Sequence, residues 1–214
     1  MKRGAISSEC GFVILASLCT LGAASTVVQA QSLFKLHVGD NASSISLPSG
    51  PLEENHPYKE YTYRSWWPVG DGEILTVIAS KSGKIDYVEL GWITINKIRK
   101  TDCDLPWIKF GETTRSDIRR QLGSYGFQFE GRRDVLDAPG GPLMVNSYKF
   151  GSNVVTFYTR IPTPDDSKPE SSSENWTDPD HARLEMISIA SLEYAESEWG
   201  KRIYDPAYKP VVWK

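Results

Sequence analysis

Residues 143–161 read LMVNSYKFGSNVVTFYTRI, two runs rich in β-branched and aromatic residues on either side of Gly151-Ser152. Such runs favour half-buried strands, and a two-residue connection that contains glycine is typical of a tight β-hairpin. The stretch therefore predicts two antiparallel strands, 143–150 and 153–161. Residues 183–191 supply a third run of the same character.

The first half of the chain shows a similar pattern. Residues 58–67, 73–80 and 84–95 are rich in aromatic and β-branched residues, and short glycine-containing or serine-containing segments connect them. This spacing predicts three strands of an antiparallel meander. Residues 48–57, which carry three prolines and two carboxylates, indicate a loop.

One helix has clear start and stop signals. Thr114 and Asp117 have the spacing of a capping box, in which each side chain bonds the backbone N–H of the other residue. Ile118 and Leu122 fall four residues apart on one face, and Gly123 supplies a left-handed stop. The sequence predicts a short amphipathic helix between Thr114 and Gly123.

These elements predict an α+β fold, an antiparallel sheet with short helices packed on one face. Residues 33–96 and 107–191 share one order of elements, a short helical segment followed by three strands. The helical segment is residues 43–47 in the first unit and the Thr114 helix in the second. Such self-similarity indicates two tandem units that bury their faces together. The alternative is that two α+β stretches look alike by chance.

Residues 111–123, GETTRSDIRRQLG, resemble the helix that opens each unit of the β-lactamase-inhibitory-protein-like fold. That fold is also found in small outer-membrane assembly lipoproteins. The resemblance implies a helix packed on an antiparallel sheet and a sheet face that binds another protein. It therefore implies a protein-binding module, without naming the target.

The N-terminus predicts export. Lys2 and Arg3 precede an apolar run, and Val28-Gln29-Ala30 has the small residues of a leader-peptidase site. We expect residues 1–30 to be a cleaved signal peptide and residues 31–214 to form one periplasmic or secreted domain. An uncleaved anchor and a lipid on Cys19 remain as alternatives.

Charge and motifs exclude several classes of function. Removing Lys2, Arg3 and Glu9 with the leader changes the formal charge from −3 to −4, which disfavours binding to nucleic acid. The sequence has no Gly-x-Ser-x-Gly elbow, phosphate-binding loop or His-Glu-x-x-His helix. No cofactor, metal site or catalytic residue is predicted, and no stable membrane insertion is expected after cleavage.

The adjacent residues Trp66 and Trp67 point to a binding surface. Neighbours on a strand face opposite sides of the sheet, so one core can hold only one of the two rings. Tyr61 and Tyr63 share the parity of Trp67. Because aromatic anchors dominate interface energetics, we expect this strand to carry a recognition face formed by Tyr61, Tyr63 and the more exposed tryptophan.

A second candidate lies in residues 162–179. This segment combines prolines, acidic residues and three consecutive serines, a composition that predicts a mobile loop between two strands. Trp176 is the large apolar residue within it. The ring either covers a nearby apolar patch or serves as another anchor for a partner.

Two classes of function follow from the sequence. The first is an exported, non-enzymatic protein-interaction module of the cell envelope, inhibitor-like or assembly-related, whose partner is another envelope or secreted protein. The second is a small secreted hydrolase or metal-binding enzyme whose site is assembled from dispersed histidines and carboxylates, His56 and His181 among them. The arrangement of the histidines and aromatic residues in the fold distinguishes the two.

Overall fold

The computed structural model describes residues 32–43, 52–69, 73–92, 99–100, 103–132, 134–138, 141–161, 178–206 and 208. The predicted signal peptide, most of the helical turn at 43–47 and most of the loop at 162–179 lie outside these residues. Of the predicted loop, Asp178 and Pro179 are described, and Pro179 begins a 3₁₀ turn, Pro179–His181.

The α+β prediction is wrong. The described residues are mostly β-sheet, 55% strand and 14% helical, and ten of their strands form one antiparallel sheet. The two helices join apolar clusters on opposite faces of the sheet, so they do not form a layer on one face. Irregular segments cover much of the sheet where helices were expected.

Within the described residues the strands are β1 (Ser32–Leu33), β2 (Leu36–His37), β3 (Leu52–Tyr58), β4 (Tyr61–Val69), β5 (Glu73–Ser80), β6 (Ile85–Trp92), β7 (Arg99–Lys100), β8 (Lys109–Phe110), β9 (Phe127–Phe129), β10 (Val135–Leu136), β11 (Leu143–Phe150), β12 (Asn153–Arg160), β13 (Arg183–Ser191) and β14 (Arg202–Tyr204). The helices are α1 (Arg115–Leu122) and α2 (Leu192–Trp199).

The large sheet joins the two halves of the chain edge to edge. Its strands follow the order β14, β9, β11, β12, β13, β6, β5, β4, β3, and β10 pairs with β11 beside this path. The meander of the first half meets that of the second where β6 pairs antiparallel with β13, and Val88 lies opposite Ile189. Hydrogen bonding therefore continues across the junction.

The first half has one more strand than predicted. Its described residues form a four-stranded meander, because residues 52–58 form β3 rather than a loop. Residues 54–58 are exposed, and in the described part of the chain β3 pairs only with β4. Pro57 is tolerated because proline, which lacks an N–H, can occupy an edge strand.

The capped helix forms as predicted. Thr114 Oγ1 accepts from the Asp117 backbone N–H at 3.1 Å, and Asp117 Oδ2 accepts from the Thr114 N–H at 3.0 Å. Gly123 ends α1 with a left-handed φ of 62°. Ile118 and Leu122 are buried, so α1 covers part of one sheet face.

The two faces of the sheet are covered to different extents. The closed face is the side that carries Trp66, Leu75, Leu90, Phe157 and Ile187, all nearly inaccessible. It is covered by α1 and by residues from the segments 33–36 and 105–110. The open face is the opposite side; α2 covers only part of it through Tyr194 and Ala195, which pack on Ile78, Tyr87, Val154 and Ala190.

Candidate functional site

Strand β4 places two of the predicted tyrosines on the open face. Tyr61 and Tyr63 are half-buried and pack against the cluster that includes α2. The Tyr61 ring meets the Tyr194 ring edge to face at 5.1 Å, and the Tyr63 ring stacks on His56 at 4.8 Å. Burial raises the pKa of the Tyr61 hydroxyl.

The two adjacent tryptophans separate as predicted. Trp66 is only 4% exposed and belongs to the core of the closed face, whereas Trp67 is 45% exposed. Trp67 lies where the register of β4 with β5 shifts, between Trp66 and Val69. Trp66 is thus a core residue, and its prediction as a binding residue is not supported by its position.

Exposed and half-exposed rings lie along the outer strand pair of the sheet, β3 and β4. We define the aromatic rim as Tyr58, Tyr61, Tyr63 and Trp67. Tyr58 is 40% exposed and lies opposite Tyr61 across the turn between β3 and β4. The rim therefore contains three of the predicted binding residues and adds Tyr58. Trp176, the remaining predicted binding residue, lies outside the described residues.

Contacts from α2 hold the turn that supports the rim. Lys59 Nζ donates to both Glu198 carboxylate oxygens at 2.8 Å, and the Tyr58 hydroxyl donates to Glu198 Oε2 at 3.2 Å. Glu198 belongs to α2, more than a hundred residues away in the sequence. These bonds fix the turn at Lys59 relative to the helix on the open face.

A row of short hydroxyl side chains crosses the open face beside the rim. We define the hydroxyl row as Ser65, Thr76, Ser188, Thr156 and Ser147, which are connected through the strand register. All five are buried, and Ser147 Oγ lies 2.9 Å from Thr156 Oγ1. Between Thr76 and Ser188 the row contains a carboxylate, Glu89.

Glu89 is half-buried and accepts a hydrogen bond from the Tyr87 hydroxyl. Burial raises the pKa of the Glu89 carboxyl, and the Tyr87 hydrogen bond and the Arg132 charge only partly oppose this effect. No cation of the described residues lies within 4.0 Å of the carboxylate. The open face therefore carries an ionisable group without a direct ion-pair partner in the described part of the chain.

Arg132 lies at the other end of this polar region. Its guanidinium lies 4.0 Å from the Trp199 ring centroid and 4.9 Å from that of Tyr158, whose hydroxyl accepts from Nη2. The Gly131 N–H donates to the Trp199 carbonyl at 2.7 Å. Arg132 thus helps to hold the C-terminal end of α2 against the sheet.

Sequence reasoning missed Glu89 and Arg132. A signal for Glu89 was present, because a carboxylate in the middle of the strand Tyr87-Val88-Glu89-Leu90 interrupts an otherwise apolar run. Charged residues are seldom buried unless they are paired. Arg132 has no such signal, because only the packing of α2 brings it to the open face.

The histidines do not converge. His56 lies 3.8 Å from Glu54 on the exposed edge strand, and His181 lies 3.4 Å from Asp178 in the 3₁₀ turn beside α1. Both rings are largely exposed. Among the described residues, no group of three or more His, Cys, Asp or Glu side chains could hold a metal ion.

A second concave region lies at one end of the sheet. This cleft has a volume of about 590 Å³ and lies where Lys84, Asp86, Lys149 and Glu193 come together. Asp86 accepts from Ser191 Oγ at 3.2 Å. The lining charges are mixed, so they do not select one class of ligand.

Comparisons of the chain with protein-family models, with curated proteins and with solved structures find no match. No helix in the described segments is long and apolar enough to cross a membrane. The geometry of the open face is therefore the basis for assigning a function.

Proposed function

We propose that this chain is an exported, non-enzymatic protein-binding module of the cell envelope that docks its partner on the aromatic rim. The observation that carries the proposal is the exposure of Trp67 and Tyr58 on the outer strand pair, which also carries the half-exposed Tyr61 and Tyr63. Large aromatic rings that a partner can bury are typical of binding hot spots.

The contacts that hold the rim in place favour a binding function over a chance cluster of surface aromatic residues. Glu198 bonds Tyr58 and Lys59 at the β3–β4 turn, and Tyr194 packs on Tyr61, so the Tyr58 and Tyr61 rings are held before a partner arrives. Side chains that are already ordered lose less conformational entropy on association. The resemblance of residues 111–123 to the inhibitory-protein-like helix adds support for a sheet that binds protein.

The alternative, a secreted hydrolase or metal-binding enzyme, depends on histidines that gather with carboxylates in a cleft. His56 and His181 instead lie in separate exposed places, each beside a single carboxylate. No geometric feature of the described residues favours the enzyme over the binding module.

Capture from the envelope fraction tests the proposal. The mature chain, immobilised through its C-terminus, is cross-linked to envelope and secreted proteins, and specific partners are identified by mass spectrometry. Trp67→Ala should reduce capture of the specific partner at least tenfold, because a buried aromatic anchor contributes about 2 kcal/mol or more to an interface. Tyr125→Ala is the matched control, since Tyr125 is 52% exposed after α1 on another part of the molecule.

The two variants give distinguishable outcomes. Loss of capture with Trp67→Ala alone supports the rim as the docking surface. Equal capture by both variants and the wild type would contradict it, as would loss of capture with Tyr125→Ala alone.

A further inference from the structure

Glu89, on the open face, can accept more hydrogen bonds than the described residues donate to it. A carboxylate has two oxygens and about four lone-pair sites, and the Tyr87 hydroxyl is the one hydrogen-bond donor that the described residues supply to it. A half-buried carboxylate without a close cation costs stability unless something compensates it. A docked partner can offset this cost most directly by placing a positively charged side chain beside the carboxylate.

Glu89 keeps part of its surface exposed to solvent between two buried neighbours. Its neighbours on both adjacent strands, Thr76 and Ser188, have short side chains. Two residues along β6, Gly91 has no side chain, and a Cβ placed there would lie 3.6 Å from Met186 Sδ. Met186 is flexible and half-buried, and methionine adapts its packing readily when a partner docks.

Glu89 also lies within reach of a partner bound at the aromatic rim. Ser65 on β4, Thr76 on β5 and Glu89 on β6 form consecutive registered pairs. Neighbouring strands are about 4.8 Å apart, which places Glu89 roughly 10 Å from the backbone of β4. A standard interface covers about 800 Å² on each partner, enough to include both the rim and Glu89.

We propose that Glu89 receives a lysine or arginine side chain of the protein that docks on the aromatic rim. This inference rests on the function proposed above and specifies the partner's chemistry, a basic side chain that reaches Glu89 two strands in from β4. The cation supplies the ion pair that Glu89 lacks among the described residues. The rim gives contact area, and Glu89 gives selectivity for a basic partner, because a neutral partner would bury the charge unpaired.

Glu89→Gln tests this assignment in the full mature chain, with the partner recovered by wild-type capture as the probe. Glutamine keeps the shape of the side chain and removes its charge, so partner affinity should fall at least about tenfold. Glu112→Gln is the control, because Glu112 is an exposed carboxylate near the start of α1 that pairs with Lys109 at 3.0 Å. It should bind like the wild type.

A denaturation series shows whether the variant folds. Because burial raises the pKa of Glu89, the ionised carboxylate costs stability above that pKa and the protonated form does not. The denaturation midpoint of Glu89→Gln should therefore equal or exceed that of the wild type at pH 8. Reduced capture by a variant that is at least as stable cannot be attributed to unfolding.

A further measurement uses the wild-type chain, so it does not depend on how the Glu89→Gln variant folds. Carbon-13 NMR of the Glu89 carboxyl should give a lower pKa in the complex than in the free protein, because a bound cation favours the carboxylate. An unchanged or higher pKa in the complex would overturn the assignment.

The outcomes separate the two proposals. If Trp67→Ala abolishes capture while Glu89→Gln binds normally, the rim is the docking surface and the role of Glu89 is wrong. If neither substitution weakens capture, the docking surface itself is wrong, and the role of Glu89 fails with it.

Discussion

The two faces of the sheet differ in what covers them. The closed face packs Leu75, Leu90 and Phe157 at 0% exposure beneath α1 and two irregular segments. The open face has α2 over part of its surface and leaves Tyr61, Tyr63 and Glu89 half-exposed. The closed face therefore supplies most of the stabilising burial, and the open face has side chains available for a partner.

The adjacent tryptophans of β4 provide the sharpest test of this difference, with the largest expected effect on stability. Trp66→Ala should lower the free energy of unfolding by about 3–5 kcal/mol, because it empties a buried site in the core. Trp67→Ala should change it by about 0.5 kcal/mol or less, because the exposed ring contributes little burial. Urea denaturation of the two variants measures both values.

Similar losses from the two substitutions would remove the distinction between the faces. In that case the ring of Trp67 would be part of the core, and its value as a binding anchor would have to be reconsidered.

Much of the second half was predictable from the sequence because its signals are local. Strands 143–150 and 183–191 form with the predicted bounds, and the capping box at Thr114 begins α1. The unequal burial of Trp66 and Trp67 agrees with strand alternation.

The errors arose where tertiary contacts decide the structure. Strand β3 is polar and contains Pro57, so its sequence resembles a loop, and pairing with β4 makes it a strand. The sequence also carries start and stop signals for α2, Ser191 and Gly200, although no helix was predicted there. Arg132 reaches the open face only when α2 and the turn at Gly131 pack against each other.

A smaller effect is expected at the cap of α1, which belongs to the closed face. Thr114→Ala removes the acceptor of the Asp117 N–H bond and should lower the free energy of unfolding by about 1 kcal/mol. Thr114→Ser retains the hydroxyl and should stay close to the wild type. Partner capture should be unchanged in both, and a loss of capture would show that binding depends on the closed face.

Radical footprinting of the free and partner-bound protein tests the central claim most directly. Trp67 and Tyr125 are both exposed and readily oxidised, and mass spectrometry can follow each residue in the same sample. Partner binding should protect Trp67 several-fold and leave the oxidation of Tyr125 unchanged, because the rim is buried in the complex. Protection of Tyr125 with Trp67 still fully reactive would contradict docking on the open face.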